Sequence, residues 1–467
     1  MPLPVVTLAQ MRQWEQRTWD AGVLPETVQR RAGFAVAKKA MELSRLGEPI
    51  LLLAGFGNNG SDTRFATEHL SDRDVRLLTI SDPASAFDDV AVQLAARPVL
   101  IVDGLFGIGL NRPLSSEWQR LIGLINDSGI RILSVDVPSG LNADNGEQMG
   151  TAVNADVTLT LGAPKIGLLA TGAARCVGRL EVACEIGLST RLPESDLYWT
   201  QPEDLAGFPP RRAADSHKGH FGHLVIIAGS RGFHGAAVLA ARAAARAQPG
   251  LVSLIVPEDV YLPVAAQLQS VMVHAWGKDS DKLIERATAI LAGPGLVSEK
   301  IDPKLREKVV ELWLDSPAPV IWDASALDWL PIGEPRNKAL RVLTPHPGEA
   351  SRILGQSVEQ AQQNRRESAT QLSERAGGAW VVLKGRHTLI GRSGEKWRVN
   401  STGNPQLAQG GSGDVLAGFI AGFLAQPELE RDPAAVLSYS VWRHGQAADS
   451  LACQDQGWGI EDLVKHI

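Results

Sequence analysis

A chain of 467 residues is longer than one ordinary hydrophobic core organises and suits two domains or three. With 44% apolar and 21% charged residues it is neither disordered nor fibrous, and a net charge of −6 argues against nucleic acid or an anionic membrane as a partner. Three cysteines, Cys176, Cys184 and Cys453, fit no zinc spacing and leave one thiol over in any disulfide scheme, so they read as reduced thiols of a cytoplasmic protein.

The start, Met1-Pro2-Leu3-Pro4, lacks the basic residues and apolar run of a signal peptide. No stretch reaches the ~20 uninterrupted apolar residues of a membrane helix. Short apolar runs at 50–54, 75–80, 99–102 and 130–135 predict strands, with helices between them that include 91–96 and 117–126. That alternation predicts parallel strands buried on both faces by helices. Proline-rich polar segments at 192–196 and 208–212 read as a linker. The alternation then restarts, with strands expected at 224–228, 252–256, 289–292, 320–322 and 380–383 and an alanine-rich helix at 235–247. The expected domains are 1–195 and 196–467, both α/β.

In the first half, Gly55-Phe56-Gly57-Asn58-Asn59-Gly60 fits G-x-G-x-x-G after a strand, with Asp82 where a ribose-binding acid would follow. A dehydrogenase is one reading and a plain turn another. Asn58, Asn59 and Asp62 suit an ion or a hydroxyl better than a dinucleotide turn needs. Two more strand ends carry acids beside glycines: Asp103 before Phe106-Gly107-Ile108-Gly109, and Asp136 before Pro138-Ser139-Gly140. In an open α/β sheet, ligands bind outside the carboxyl ends of strands, so Asn59, Asp103, Asp136 and Ser139 would share one polar cleft. Each segment alone could be a capped turn.

These segments, with Ala155-Asp156-Val157-Thr158-Leu159-Thr160-Leu161-Gly162-Ala163-Pro164-Lys165-Ile166-Gly167, resemble the NAD(P)H-hydrate epimerase family. The resemblance implies a Rossmann-like fold that interconverts the R and S epimers of hydrated NADH and NADPH (NADHX and NADPHX). It implies a potassium ion held by Asn59, Asp103 and Ser139. Substrate contacts would come from Asn58, Asn59, Gly60, Ser61 and Asp62 and from Gly107, Ile108, Gly109, Leu110, Asn111, Arg112 and Pro113. Asp136 would be the acid–base group. The family's N-N-G-G-D-G reads Asn58-Asn59-Gly60-Ser61-Asp62-Thr63 here, and a side chain at Ser61 or Thr63 restricts positive φ and the approach of a phosphate. Arg30 stands where the family has an acid.

In the second half, Gly410-Gly411-Ser412-Gly413-Asp414 runs straight into an apolar helix. Glycines at a helix start expose unpaired amides to an anion, and Asp414 at the edge of that hole could take a proton from a hydroxyl attacking a phosphoryl group. A helix cap is the plainer reading. Lys384, Gly385, Arg386, His387 and Thr388 follow a strand and offer donors to phosphate or ribose; no G-x-x-x-x-G-K-[ST] occurs.

Taken with Gly293-Pro294-Gly295, Thr344-Pro345-His346-Pro347 and Asn400-Ser401-Thr402-Gly403-Asn404-Pro405, this half resembles the ribokinase-like superfamily, and within it the NAD(P)H-hydrate dehydratases. The resemblance implies a catalytic Asp414, hydrate contacts from Gly295 and His346, and nucleotide contacts from residues 384–388 and Gly413. It implies ADP as co-substrate, magnesium with the nucleotide, and a homo-oligomer. The family's D-A-D-A-L reads Asp323-Ala324-Ser325-Ala326-Leu327, one carboxylate fewer. A ribokinase-type small-molecule kinase and a non-catalytic dinucleotide-binding scaffold are the competing readings.

Overall fold

The computed structural model describes residues 2–454 and 457–467. The chain divides into two compact units, one of Leu3–Ser195 and one containing Asp196–Ile467.

In the first unit, strands β1 (Pro49–Ala54), β2 (Asp74–Thr79), β3 (Leu100–Gly104), β4 (Arg131–Val135), β5 (Val157–Leu161) and β6 (Arg179–Ala183) form a parallel sheet ordered β2-β1-β3-β4-β5-β6. The central strands are apolar throughout because both faces are covered. Ile50 and Leu52 of β1 pack on Val28, Ala32 and Val36 of α2 (Pro25–Glu42). Leu51 and Leu53 point the other way, toward Val90 of α4 (Pro83–Ala95) and Leu121, Ile122 and Ile125 of α5 (Ser116–Asp127). Two further helices, α1 (Leu8–Asp20) and α3 (Asn58–Ala66), bear on the site. The sheet order reverses between β1 and β3, and there the loops leaving adjacent strands diverge and open a crevice.

The expected helix at 91–96 is the end of a longer one. Asp82 caps α4, accepting from the amides of Ala84 and Ser85, with Pro83 at the first helical position. That capping role removes the sequence basis for Asp82 as a ribose acid. Ser61 and Thr63 sit inside α3 with ordinary helical backbone, so no positive φ is needed at either. The part of the sequence objection that concerns positive φ therefore does not apply.

In the second unit, β7 (Leu197–Trp199), β8 (His223–Ile227), β9 (Leu251–Val256), β10 (Met272–Ala275), β11 (Ala289–Ala292), β12 (Val320–Trp322), β13 (Arg341–Leu343), β14 (Trp380–Leu383), β15 (Leu389–Gly391) and β16 (Trp397–Val399) run in the order β7-β16-β15-β14-β13-β12-β11-β8-β9-β10. From β14 to β10 all neighbours are parallel; β15 pairs antiparallel with both β14 and β16. One face is covered by α6 (His234–Arg246), α10 (Ser412–Leu424) and α11 (Pro433–Gln454), the other by α7 (Pro303–Asp315). Helices α8 (Pro347–Leu354) and α9 (Arg365–Arg375) lie between β13 and β14 in the chain. Alanines on α6 and glycines on α10 let these helices approach closely: a Cβ at Gly418 would lie 2.1 Å from the carbonyl oxygen of Ala240. No helix among the described residues is long and apolar enough to cross a membrane.

Candidate functional site

Both units place their candidate residues at the carboxyl ends of parallel strands. In the first unit, α3 begins directly after β1, and its entry is too tight for side chains. A Cβ at Gly60 would sit 1.8 Å from the carbonyl oxygen of Gly55. The tight entry brings Asn59 into the crevice, where its amide donates to the carbonyls of Phe106 (3.0 Å) and Val135 (2.6 Å). Asp103, at the end of β3, is fully buried and accepts from Leu105 N, Ser134 Oγ, Ser139 N and Ser139 Oγ. Ser139 Oγ in turn accepts from Phe106 N at 2.8 Å. Phe106 thus joins Asn59 to Ser139, and Ser139 is bonded directly to Asp103. All the donors to Asp103 are neutral, and burial raises its pKa against the pull of those hydrogen bonds. Converging carbonyls, a hydroxyl and an uncompensated buried carboxylate form an all-oxygen set that suits a hard cation.

Asp136 follows β4 in the left-handed region, φ 63°, which is unusual outside glycine. Its carboxylate is buried, accepts from Leu161 N (2.9 Å) and Thr160 Oγ1 (3.1 Å), and is ion-paired with Lys165. Lys165 is completely buried and also donates to Leu161 O at 2.7 Å. Two more acids share this pocket. Asp62 on α3 is buried and accepts no hydrogen bond among the described residues; burial first, then the charges of Asp136 and Glu15, push its pKa well up. Burial, then Asp136, likewise raises Glu15 of α1. The site therefore offers one salt-bridged carboxylate, Asp136, and two carboxyls biased toward the neutral acid, Asp62 and Glu15, the complementary groups that proton transfer requires. Residues 107–113 form a loop leaving β3, with Asn111, Arg112 and Pro113 exposed at its lip. Asn58 is exposed and accepts from Gln29. Arg30 is a surface residue bridging Glu26 and Glu68.

In the second unit, the N-terminus of α10 is capped by Gly411, φ 97°, and by no side chain. Asp414 lies in the first turn and accepts no hydrogen bond among the described residues, so it is not a cap. Burial first, then Asp323, and more weakly Glu349, against the opposing charge of Lys384, raise its pKa to about 7. Lys384 donates to Asp323 Oδ1 at 2.6 Å and stands 3.9 Å from Glu349. Burial alone would depress its pKa, but Asp323 and Glu349 outweigh that and hold it above the ordinary value. Thr344 Oγ1 also donates to Asp323 at 2.6 Å. His346 caps α8, its Nδ1 accepting from Gly348 and Glu349 amides, while Glu349 accepts from His346 N. A Cβ on Gly413 would meet Lys384 Nζ at 3.2 Å, which places the glycine-rich turn against the lysine. On the neighbouring strands, Gly229 N donates to Pro294 O and Ser230 Oγ to Gly295 O, each at 2.8 Å. These contacts tie Gly295 to the switch point between β8 and β11. Asp414, Gly413, Lys384 and His346 thus gather around the Asp323–Lys384 pair, with Gly295 at the adjoining strand end. Residues 384–388 form one loop, in which His387 is half-buried and desolvation of its ring lowers its pKa to about 3.

Lys165, Glu15, Glu349 and Asp323 carry much of the electrostatics but stand outside the set of candidates read from the sequence. Lys165 lies 29 residues from Asp136, and nothing in its local spacing predicts that pairing. A lysine inside an otherwise apolar and hydroxylic strand end was the available signal.

Comparison with known proteins follows the same division. A family described as NAD(P)H-hydrate dehydratase matches residues 224–465, and one described as YjeF-related protein N-terminus matches residues 79–167. The bifunctional NAD(P)H-hydrate repair enzyme Nnr of Coxiella burnetii is 35% identical, over 98% of this chain and 97% of its own. That of Gloeobacter violaceus is 34% identical, over 98% and 95%. Among solved structures, the ADP/ATP-dependent NAD(P)H-hydrate dehydratase of Bacillus subtilis, co-crystallised with ATP and Mg2+, superposes with a TM-score of 0.50 at 31% identity, covering 56% of this chain and 93% of that one. A ribokinase-like superfamily protein of Enterococcus faecalis gives 0.51 at 26% identity, covering 59% and 96%.

Proposed function

The chain belongs to the family of bifunctional NAD(P)H-hydrate repair enzymes, and on that premise we propose that its first unit epimerises the R and S hydrates of NADH and NADPH while its second dehydrates the S form at the expense of ADP. The observation that carries the dehydratase assignment is Asp414: a half-buried carboxyl without a hydrogen-bond partner among the described residues, at a helix N-terminus, beside Lys384.

In the dehydration, Asp414 takes the proton of the C6 hydroxyl as that oxygen bonds to the β-phosphorus of ADP and the bond to AMP breaks. Lys384 and the amides at the start of α10 stabilise charge on the transferring phosphoryl group. The ring nitrogen then expels phosphate from C6, and loss of a proton from C5 to solvent restores the dihydronicotinamide. Hydrate and ADP are thereby converted to the reduced dinucleotide, AMP, phosphate and a proton. Residues 384–388 and Gly413 hold the nucleotide; Gly295 and His346 contact the hydrate. Magnesium would arrive with the nucleotide, because among the described residues no group of three or more His, Cys, Asp and Glu side chains forms a cage for it.

In the epimerisation, Asp136 removes the C6 hydroxyl proton as the C6–N1 bond opens to an aldehyde, and the proton returns to nitrogen. Rotation and reclosure on the other face invert C6. Lys165, ion-paired with Asp136, fixes its position; residues 58–62 and 107–113 hold the dinucleotide. A potassium ion held by Asn59, Asp103 and Ser139 would supply the positive charge that the all-oxygen set around Asp103 lacks. Cys176, Cys184 and Cys453 form no disulfide among the described residues, in keeping with a cytoplasmic enzyme.

The test uses separated R and S hydrates of NADH with ADP, with ATP or with neither, following the return of dihydronicotinamide absorbance. The proposal requires recovery from S that depends on ADP and is abolished by Asp414→Ala. It also requires recovery from R faster than spontaneous epimerisation and abolished by Asp136→Ala. A stable phosphorylated product would point instead to a kinase.

A further inference from the structure

The loop at 384–388 is held from within by one hydrogen bond, Thr388 Oγ1 donating to Gly385 O at 2.9 Å, and otherwise from outside. Gly385 has φ 128° and His387, which is not a glycine, has φ 54°. The glycine takes that conformation freely, but His387 is costly there without an outside restraint. That restraint comes from Arg365, the first residue of α9, whose guanidinium donates to the carbonyls of Leu383 (3.1 Å), Lys384 (3.3 Å) and Arg386. A Cβ on Gly385 would face that guanidinium at 3.4 Å.

A peptide unit is planar and trans, so its N–H points opposite to its C=O. Turning the carbonyls of Lys384 and Arg386 inward therefore turns the amides of Gly385 and His387 outward. Neither amide donates to another protein group among the described residues. Outward amides flanking left-handed residues make an anion-binding concavity. Arg365 is half-buried, and desolvation, then Arg386, lowers its pKa to about 10, which still leaves it a cation at neutral pH.

We propose that Arg365 is a positioning residue for nucleotide binding: by gathering three carbonyls on one guanidinium it aims the Gly385 and His387 amides at the nucleotide phosphates. The inference rests on the reading of residues 384–388 as the nucleotide loop. Lysine is a poor substitute, because one ammonium cannot span three carbonyls in the planar fork that a guanidinium presents.

The experiment measures KM for ADP and kcat in S-hydrate dehydration on the full chain, with R-hydrate epimerisation as an internal measure of folded enzyme. Arg365→Met is expected to raise KM for ADP by about tenfold or more, the effect of losing one or two net hydrogen bonds. The expected change in kcat is smaller than about threefold, with epimerisation unchanged. Arg365→Lys should restore the melting temperature toward that of the parent while KM stays raised. A merely structural arginine would instead lower active enzyme and melting temperature with KM unmoved, and Arg365→Lys would repair both. If Arg365→Met does not fold, Arg365→Lys alone decides. Lys384→Gln separates the two levels. An unchanged KM in the Arg365 variants with a raised KM in Lys384→Gln overturns the role of Arg365. An unchanged KM in all of them overturns the reading of the loop.

Discussion

At the residue scale the two acids proposed as catalytic are held in opposite ways. Asp136 is salt-bridged to Lys165, whereas Asp414 has only the Asp323–Lys384 pair nearby and a pKa raised to about 7. A base must be ionised, so dehydration should increase as pH rises through that value and level off above it. A pH profile of kcat/KM for the S hydrate, measured well below KM, reports it. A raised carboxyl pKa also has a cost for the fold. The folded state binds the proton more tightly than the unfolded chain, so stability is greatest below the unfolded carboxyl pKa and declines as pH climbs through about 7. Asp414→Asn is therefore expected to abolish dehydration yet raise the melting temperature of the protein at pH 8, a gain that fades toward pH 4. Asp136→Asn should do the reverse to activity, stopping epimerisation and sparing ADP-dependent recovery from S. It should also lower stability, because it strands the buried ammonium of Lys165 without its counter-charge.

At the scale of elements, α10 does two jobs. Its first turn carries Gly413 and Asp414, and its glycines seat it against α6. Gly418→Ala would drive a methyl into the Ala240 carbonyl, backbone that cannot rotate away, so the helices must part. An expected loss of ~1–3 kcal/mol in urea unfolding should come with a fall in dehydration, as the same shift moves Asp414. Legibility also divides by element. β1, β3, β8 and β11 were readable because both faces are buried and the apolar run is unbroken. β15, β16 and β7, of three residues each, are too short to stand out, and Met272–Ala275 of β10 is partly exposed on the sheet's margin. β5 alternates Val-Thr-Leu-Thr-Leu although every residue is buried, its threonines finding hydrogen bonds at Val177 O and Asp136. In the sites, the glycine-rich turns and terminal acids were legible because their chemistry is local. The lysine, glutamate and arginine that tune them were not, because they arrive from elsewhere in the chain.

At the scale of the whole molecule, each unit has its own core and its own complete set of candidate residues. Residues 3–195 and 196–467, expressed separately, are expected to keep epimerase and dehydratase activity respectively. Mixing them should restore recovery from R hydrate in the presence of ADP; failure of the mixture while both halves are folded would mean that the fusion itself is required. The carboxyl poised near neutrality reaches further than its own reaction. A diphosphate brings negative charge beside Asp414 and raises its proton affinity again, so the enzyme should draw a fraction of a proton from the medium whenever it captures nucleotide. Calorimetric heats of ADP binding should then differ among buffers of different ionisation enthalpy, and the affinity should slacken as the solution becomes alkaline. The pH of the medium would in this way regulate how readily the repair reaction takes up its energy source.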